Sequence, residues 1–179
     1  MVFEREITLI KNDTLREMVR GYFETTVPAY FWEIGASSSG KYHPVFSQGE
    51  GGLVRHTQAV VMFAEEFLRM SPFCYLSDEH KDFVIAACLV HDTMKYGTGA
   101  EMEKSEYKNH AQNAAKAFRD YCFEHGYPVS EFMTNAISAH MGQWSTDKNC
   151  RPFTSIDRCV HMADYVASRP FIDIPVINA

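Results

Sequence analysis

Along most of the chain apolar residues recur every three or four positions, and short stretches rich in glycine, proline and hydroxyl side chains interrupt them. The period is that of helices with one buried face. Leu15, Met18, Val19, Tyr22 and Phe23 mark a first helix over residues 12–26, capped by Asn12 or Asp13 and closed by Pro28. An aromatic segment from Tyr30 to Ile34 leads into a long polar loop, residues 35–44. Gly49, Gly51 and Gly52 turn the chain into a second helix over 53–70, whose apolar face carries Val54, Val60, Val61, Ala64 and Phe67. Ser71-Pro72 ends it. Ser77, Asp78 and Glu79 cap a third helix that runs through Phe83, Val84, Ala87, Cys88 and Leu89 to His91 and Asp92. A fourth starts near Tyr107 and is closed by Gly126-Tyr127-Pro128; a fifth runs from Ser130 through Ala136 and Ile137 to His140; a sixth starts near Ser155 and carries Cys159, Val160, Ala163, Asp164 and Val166. With no internal repeat and no alternation of strand and helix, the expected architecture is all-α, one compact bundle of about six main helices over residues 1–179 with an extended tail at 170–179. Short strands are admitted only at Glu6 to Ile10 or in that tail.

Composition narrows this picture without redirecting it. A chain of 179 residues is long enough for one domain with a real core and too short for two. Hydrophobic residues at 46% and charged residues at 22% are ordinary for a soluble globular protein. No uninterrupted apolar run reaches about 18 residues, and the N-terminus lacks the basic-then-apolar order of a secretory signal, so the expectation is a cytoplasmic protein without a membrane partner. The five cysteines, Cys74, Cys88, Cys122, Cys150 and Cys159, are odd in number and lack C-x-x-C spacing, which argues against a disulfide framework and a thiolate zinc site. A formal net charge of -6 excludes sequence-independent binding to duplex nucleic acid but leaves room for a small anionic ligand held by a few local cations. Aromatic residues at 13% supply apolar surface for a core or a homodimer contact and do not choose between them.

The candidate chemistry concentrates in Cys88 to Lys95, where an apolar helical run ends in the doublet His91-Asp92 with Lys95 three residues on. Buried charges of this kind need partners. His56, His110, His140 and Asp164 are the candidates, each in or beside a helical segment. Imidazole and carboxylate together suit divalent manganese, iron, nickel, cobalt or zinc better than magnesium or calcium. Neighbouring helical residues point about 100° apart, so His91 and Asp92 can converge only where the turn loosens before Gly97. Asp92, with two oxygens, is able to bridge two ions. In the polar loop Ser38, Ser39 and Lys41, and Arg55 beyond it, are suited to phosphate; Gln143 and Trp144, just past His140, are suited to hydrogen bonding and stacking on a base. His161 lies one turn before Asp164, while His43, His80 and His125 fall in no pattern.

The order His56, His91-Asp92, His110, His140, Asp164 on successive helices resembles the HD superfamily of metal-dependent phosphohydrolases, in its two-metal branch, over the stretch from Gly49 to Arg169. The resemblance implies two divalent transition-metal ions, the first held by His56, His91, Asp92 and Asp164, the second by Asp92, His110 and His140. It also implies hydrolysis of a phosphate ester or anhydride in a nucleotide or short oligonucleotide by a metal-activated water. Asp92 would bridge the ions, Asp164 would ligate and accept the water's proton, and Lys95 would contact a non-bridging phosphoryl oxygen. The spacing His-Asp-x-x-Lys is shared with cyclic-dinucleotide phosphodiesterases, but Gly126-Tyr127-Pro128 stands as a turn after the His110 helix rather than at the place of their Gly-Tyr-Pro signature, so that specificity is not inferred. Two rival readings keep the same ligands: a di-iron oxygenase acting on a small polar substrate, and a regulatory module that binds a nucleotide without turnover. Release of phosphate, consumption of oxygen and recovery of unchanged nucleotide tell the three apart.

Overall fold

The computed structural model describes residues 2–37, 43–99 and 101–174. Its order of elements follows from where the apolar periods start and stop. Helix α1 (Glu4–Ile7) precedes α2 (Asp13–Thr25), α3 (Gly52–Phe67), α4 (Asp78–Val90), α5 (His110–Glu124), α6 (Glu131–Ala139) and α7 (Ser155–Ala167), with short 3₁₀ turns between them and no strand among the described residues. The short strand admitted at Glu6 to Ile10 does not form; the stretch belongs to helix α1 and the turn after it. Phe3, Ile7 and Ile10 recur at helical spacing, and all three are fully buried.

The starts of several helices are fixed by side chains, two of them, Asn12 and Ser77, expected from the sequence. Asn12 Oδ1 accepts from Leu15 N at 2.9 Å, Ser77 Oγ accepts from His80 N at 3.2 Å, and Thr154 with Asp157 forms a reciprocal capping box at the start of α7. Asp82 reaches across from α4: its buried carboxylate accepts from the backbone N–H groups of Lys11 and Asn12 at 2.9 and 2.8 Å, tying the start of α2 to α4. Gly51 enters α3 with φ 66°, in the left-handed region that glycine tolerates, and a Cβ at Gly52 would collide with the Ser47 carbonyl.

Helix α4 is the axis of the bundle and packs against each of the other six helices. Its run from Val84 to Val90 is buried without a break, as a helix surrounded by others requires. Around it, α3 lies against α7, and α6 lies against both α5 and α7. The N-terminal helices close one side with Phe3, Phe23, Phe31 and Trp32, whose rings meet at centroid distances of 5.0 to 6.1 Å. The C-terminal end of α4 therefore emerges in the centre of the molecule. The turn that follows it is pinned there by Tyr22, whose hydroxyl lies 3.0 Å from Thr93 Oγ1, and by Tyr30, which donates to Gly97 O at 2.6 Å and accepts from Tyr96 N at 3.1 Å.

Candidate metal centre

Five helices deliver side chains to the end of α4. His56 comes from the second turn of α3, His91 is the C-cap of α4 with Asp92 next to it, His110 opens α5, His140 is the C-cap of α6, and Asp164 lies in the last turns of α7. The doublet converges as expected, because the chain leaves the helix at His91: His91 Nε2 comes within 3.7 Å of Asp92 Oδ2. Two clusters of donor atoms result among the described residues, His56 with His91 and Asp164, and Asp92 with His110 and His140. Asp92 divides its carboxylate between them. Its Oδ2 lies 3.9 Å from His56 Nε2 and 3.7 Å from His91 Nε2, while its Oδ1 lies 3.0 Å from His110 Nε2 and 3.6 Å from His140 Nε2. All of these side chains are at most 2% exposed except that of Asp164, at 18%.

The hydrogen bonds of the imidazoles fix which nitrogen is free. Nδ1 of His91 donates to Cys88 O at 2.7 Å, that of His110 to Tyr107 O at 2.6 Å, and that of His140 to Ile137 O at 2.8 Å. A carbonyl only accepts, so each Nδ1 carries a proton and in the neutral ring a bare Nε2 faces inward, the tautomer a metal ligand needs; burial holds His91 and His110 towards that form, whereas at His140 burial is outweighed by Asp92 and Asp164, which push the ring up. His110 Nε2 and His140 Nε2 then face each other at 3.1 Å, two lone pairs that require a cation between or beside them, either a proton or a metal ion. His91 Nε2 and Asp92 Oδ1 are buried without a hydrogen-bond partner. Orphaned inward-facing donors on a nitrogen and oxygen framework fit divalent metal.

The charges are arranged to match. Burial alone pushes the Asp92 carboxyl up, but Lys95, His91 and His110 around it hold it well below the ordinary carboxylate range. Asp164 is likewise opposed by burial yet held low by its hydrogen bond with His56 at 3.1 Å and by the fields of His91, His56 and His140. Burial brings His91 down to about 4, so it stays neutral. For Lys95 burial works against the ammonium, but Asp92 and Tyr107 more than offset it, and the group stays charged.

The outer residues fare differently. Lys95 is buried with Nζ 2.5 Å from Asp92 Oδ2 and 5.6 Å above the Tyr107 ring. Arg55 is turned to the preceding loop, donating to Phe46 O at 2.5 Å and Gln48 O at 2.9 Å. Gln143 is exposed, and Trp144 lies near-parallel to Tyr165 at 5.6 Å, with the Arg169 guanidinium 4.2 Å over Tyr165. His161 donates from Nδ1 to His140 O at 2.7 Å, bracing the strand of backbone that holds His140. Ser38, Ser39 and Lys41 lie outside the described residues.

A family model, that of the HD domain, matches residues 53–169 and so takes in every one of these donors. The chain belongs to the HD domain family. No curated protein and no solved structure matches it. The HD domain here is an all-helical single bundle, and its family consists in general of metal-dependent phosphohydrolases, in keeping with the two clusters at the end of α4.

Sequence spacing missed three contributors. Tyr22 and Tyr30 read as core aromatics, and their hydroxyl bonds to the turn after the doublet leave no periodic mark. His43 has no spacing relation to the ligands, yet the fold sets its ring 5.2 Å from that of His56, nearly perpendicular to it at 68°, and burial together with His56 and Lys95 lowers it to about 3.

Proposed function

We propose that this HD domain hydrolyses a phosphate ester or anhydride of a nucleotide or short oligonucleotide. The division of the Asp92 carboxylate between two donor clusters carries this reading, because it is the arrangement of a bridging ligand. His56, His91, Asp92 and Asp164 would hold one divalent ion, and Asp92, His110 and His140 would hold the second. When bound, paired ions bring the pKa of a shared water towards neutrality and offset the charge of the phosphoryl group.

The chain's own residues supply the rest. Asp164 is the carboxylate of the set that reaches solvent, so it is placed to take the proton as water adds to phosphorus and the bond to the leaving oxygen breaks. Lys95, the ammonium nearest Asp92, contacts a non-bridging phosphoryl oxygen. That buried cation favours a phosphoryl substrate over the small polar substrate of an oxygenase with the same donors. Trp144 and Gln143, exposed beyond His140, are assigned to the base of the substrate.

The test begins with elemental analysis of the purified protein, followed by incubation of that metal form with nucleotides, cyclic nucleotides and short RNAs. The wild type is expected to hold two ions per chain and to release phosphate or nucleoside monophosphate. Asp92→Ala is expected to lose both ions and about a thousandfold or more of the rate together. A fully active Asp92→Ala protein sinks the mechanism, and metal-dependent oxygen consumption without phosphate release replaces it with the oxygenase.

A further inference from the structure

We propose that His43 is a substrate-contacting residue, its imidazole donating a hydrogen bond to an oxygen of the phosphoryl group bound at the His56, His91 and Asp164 cluster. The inference rests on the phosphohydrolase reading and adds to it a residue outside the family's donor set.

Three observations carry it. The His43 ring packs edge-on against His56, a donor of that cluster, at 5.2 Å and 68°. Its Nδ1 is shut off from solvent and has no hydrogen-bond partner, although buried imidazole nitrogens are ordinarily satisfied. Its nitrogens nevertheless belong to neither group of donors close enough to share one ion. A residue that only packed against His56 would need no polar atom there, and a further metal ligand would stand within the cluster. His43 instead stands one layer out, where the oxygen of a bound anion supplies the missing partner. The groups that face it electrostatically are His56, Lys95, Asp164 and Asp92, the same groups that surround the proposed phosphoryl position.

The local fold is built to hold the ring in place. Gln48 Nε2 donates to the His43 carbonyl at 3.1 Å, Ser47 Oγ donates to Pro44 O at 3.0 Å, and Arg55 fastens the carbonyls of Phe46 and Gln48. Gly52 allows Ser47 to lie against the start of α3. Arg55, one residue before His56, thereby keeps His43 and His56 in register and acts as a positioning residue rather than as a phosphate ligand.

Two variants and one probe test this. His43→Phe keeps a ring against His56 and removes both nitrogens; His43→Asn restores an N–H near the position of Nδ1. Binding of inorganic phosphate is measured by calorimetry on the metal form recovered on purification, alongside elemental analysis. The expected result is that His43→Phe keeps the full metal content, binds phosphate about tenfold more weakly, and raises KM more than it lowers kcat, with His43→Asn regaining most of the affinity. Unchanged phosphate affinity in His43→Phe overturns the inference, and so does a fall in its metal content. A wild-type protein that binds metal but neither phosphate nor any phosphate ester overturns the phosphohydrolase reading as well, so the two failures are distinct.

Discussion

In the cluster of Asp92, His110 and His140 every side chain is sealed and both imidazoles are clamped through Nδ1 to a carbonyl three residues back. In the cluster of His56, His91 and Asp164 one carboxylate meets solvent, and one imidazole, His56, has no partner for its buried Nδ1. The sealed cluster is rigid by construction. The open one has an edge where water and an anion can arrive, and it is there that His43 stands. Under the proposed function the first cluster would hold and the second would carry the chemistry, although both share Asp92.

This division is most severely tested by deleting one imidazole from each side. His140→Ala leaves Asp92 and His110 buried without their partner, whereas His56→Ala leaves Asp164, which reaches water. Elemental analysis is expected to find one ion per chain in either variant, with hydrolysis down about a hundredfold or more. Chemical denaturation is expected to show the larger destabilisation in His140→Ala, about 1–3 kcal/mol. Equal destabilisation of the two would remove the distinction between sealed and open.

A smaller effect is expected at Gly142, which has φ +55° and faces the His161 ring. Gly142→Ala combines a left-handed alanine with a clash against the ring that braces the His140 carbonyl. Its expected cost is about 1–3 kcal/mol, read from the denaturation midpoint, with metal affinity weakened in the sealed cluster alone.

The smallest effect lies outside both clusters. Burial pushes the Tyr30 hydroxyl up from 10.0 to about 12, against the lowering influence of its hydrogen bond with the Tyr96 backbone. Below pH 10 the ring is neutral in the folded and the unfolded chain; between 10 and 12 the unfolded chain loses the proton first. The contribution present below 10 is therefore lost as pH rises through 12. Tyr30→Phe is expected to flatten that alkaline decline and to cost about 1 kcal/mol at neutral pH, measured by urea unfolding at the two pH values.

Much of this arrangement was legible before any coordinates. The main helices follow from apolar spacing and from the caps Asn12 and Ser77, which act locally. The residues of the two candidate clusters follow because histidines at helix ends beside a His-Asp doublet keep their order in the chain. What was not legible depends on contacts distant in sequence. Phe3, Ile7 and Ile10 form too short a run to separate a turn of helix from a strand. The hydrogen bonds of Arg55 to the Phe46 and Gln48 carbonyls join a helix to a loop and leave no periodic mark. Asp82 belongs to α4 by sequence and to the start of α2 by function, 70 and 71 residues away.

The clamps on His91 and His140 have a further consequence. The clamp on His91 fills Cys88 O, in the last turn of a helix where backbone acceptors otherwise go unmatched, and the clamp on His140 adds a second donor to Ile137 O, which also accepts from His140 N at 3.4 Å. One proton thus both finishes the helix and selects the electron pair that looks inward. Loosening either terminus would spoil the donor, and rotating the donor would loosen the terminus, so the pocket's geometry is inherited from the ending of two helices rather than imposed after they form.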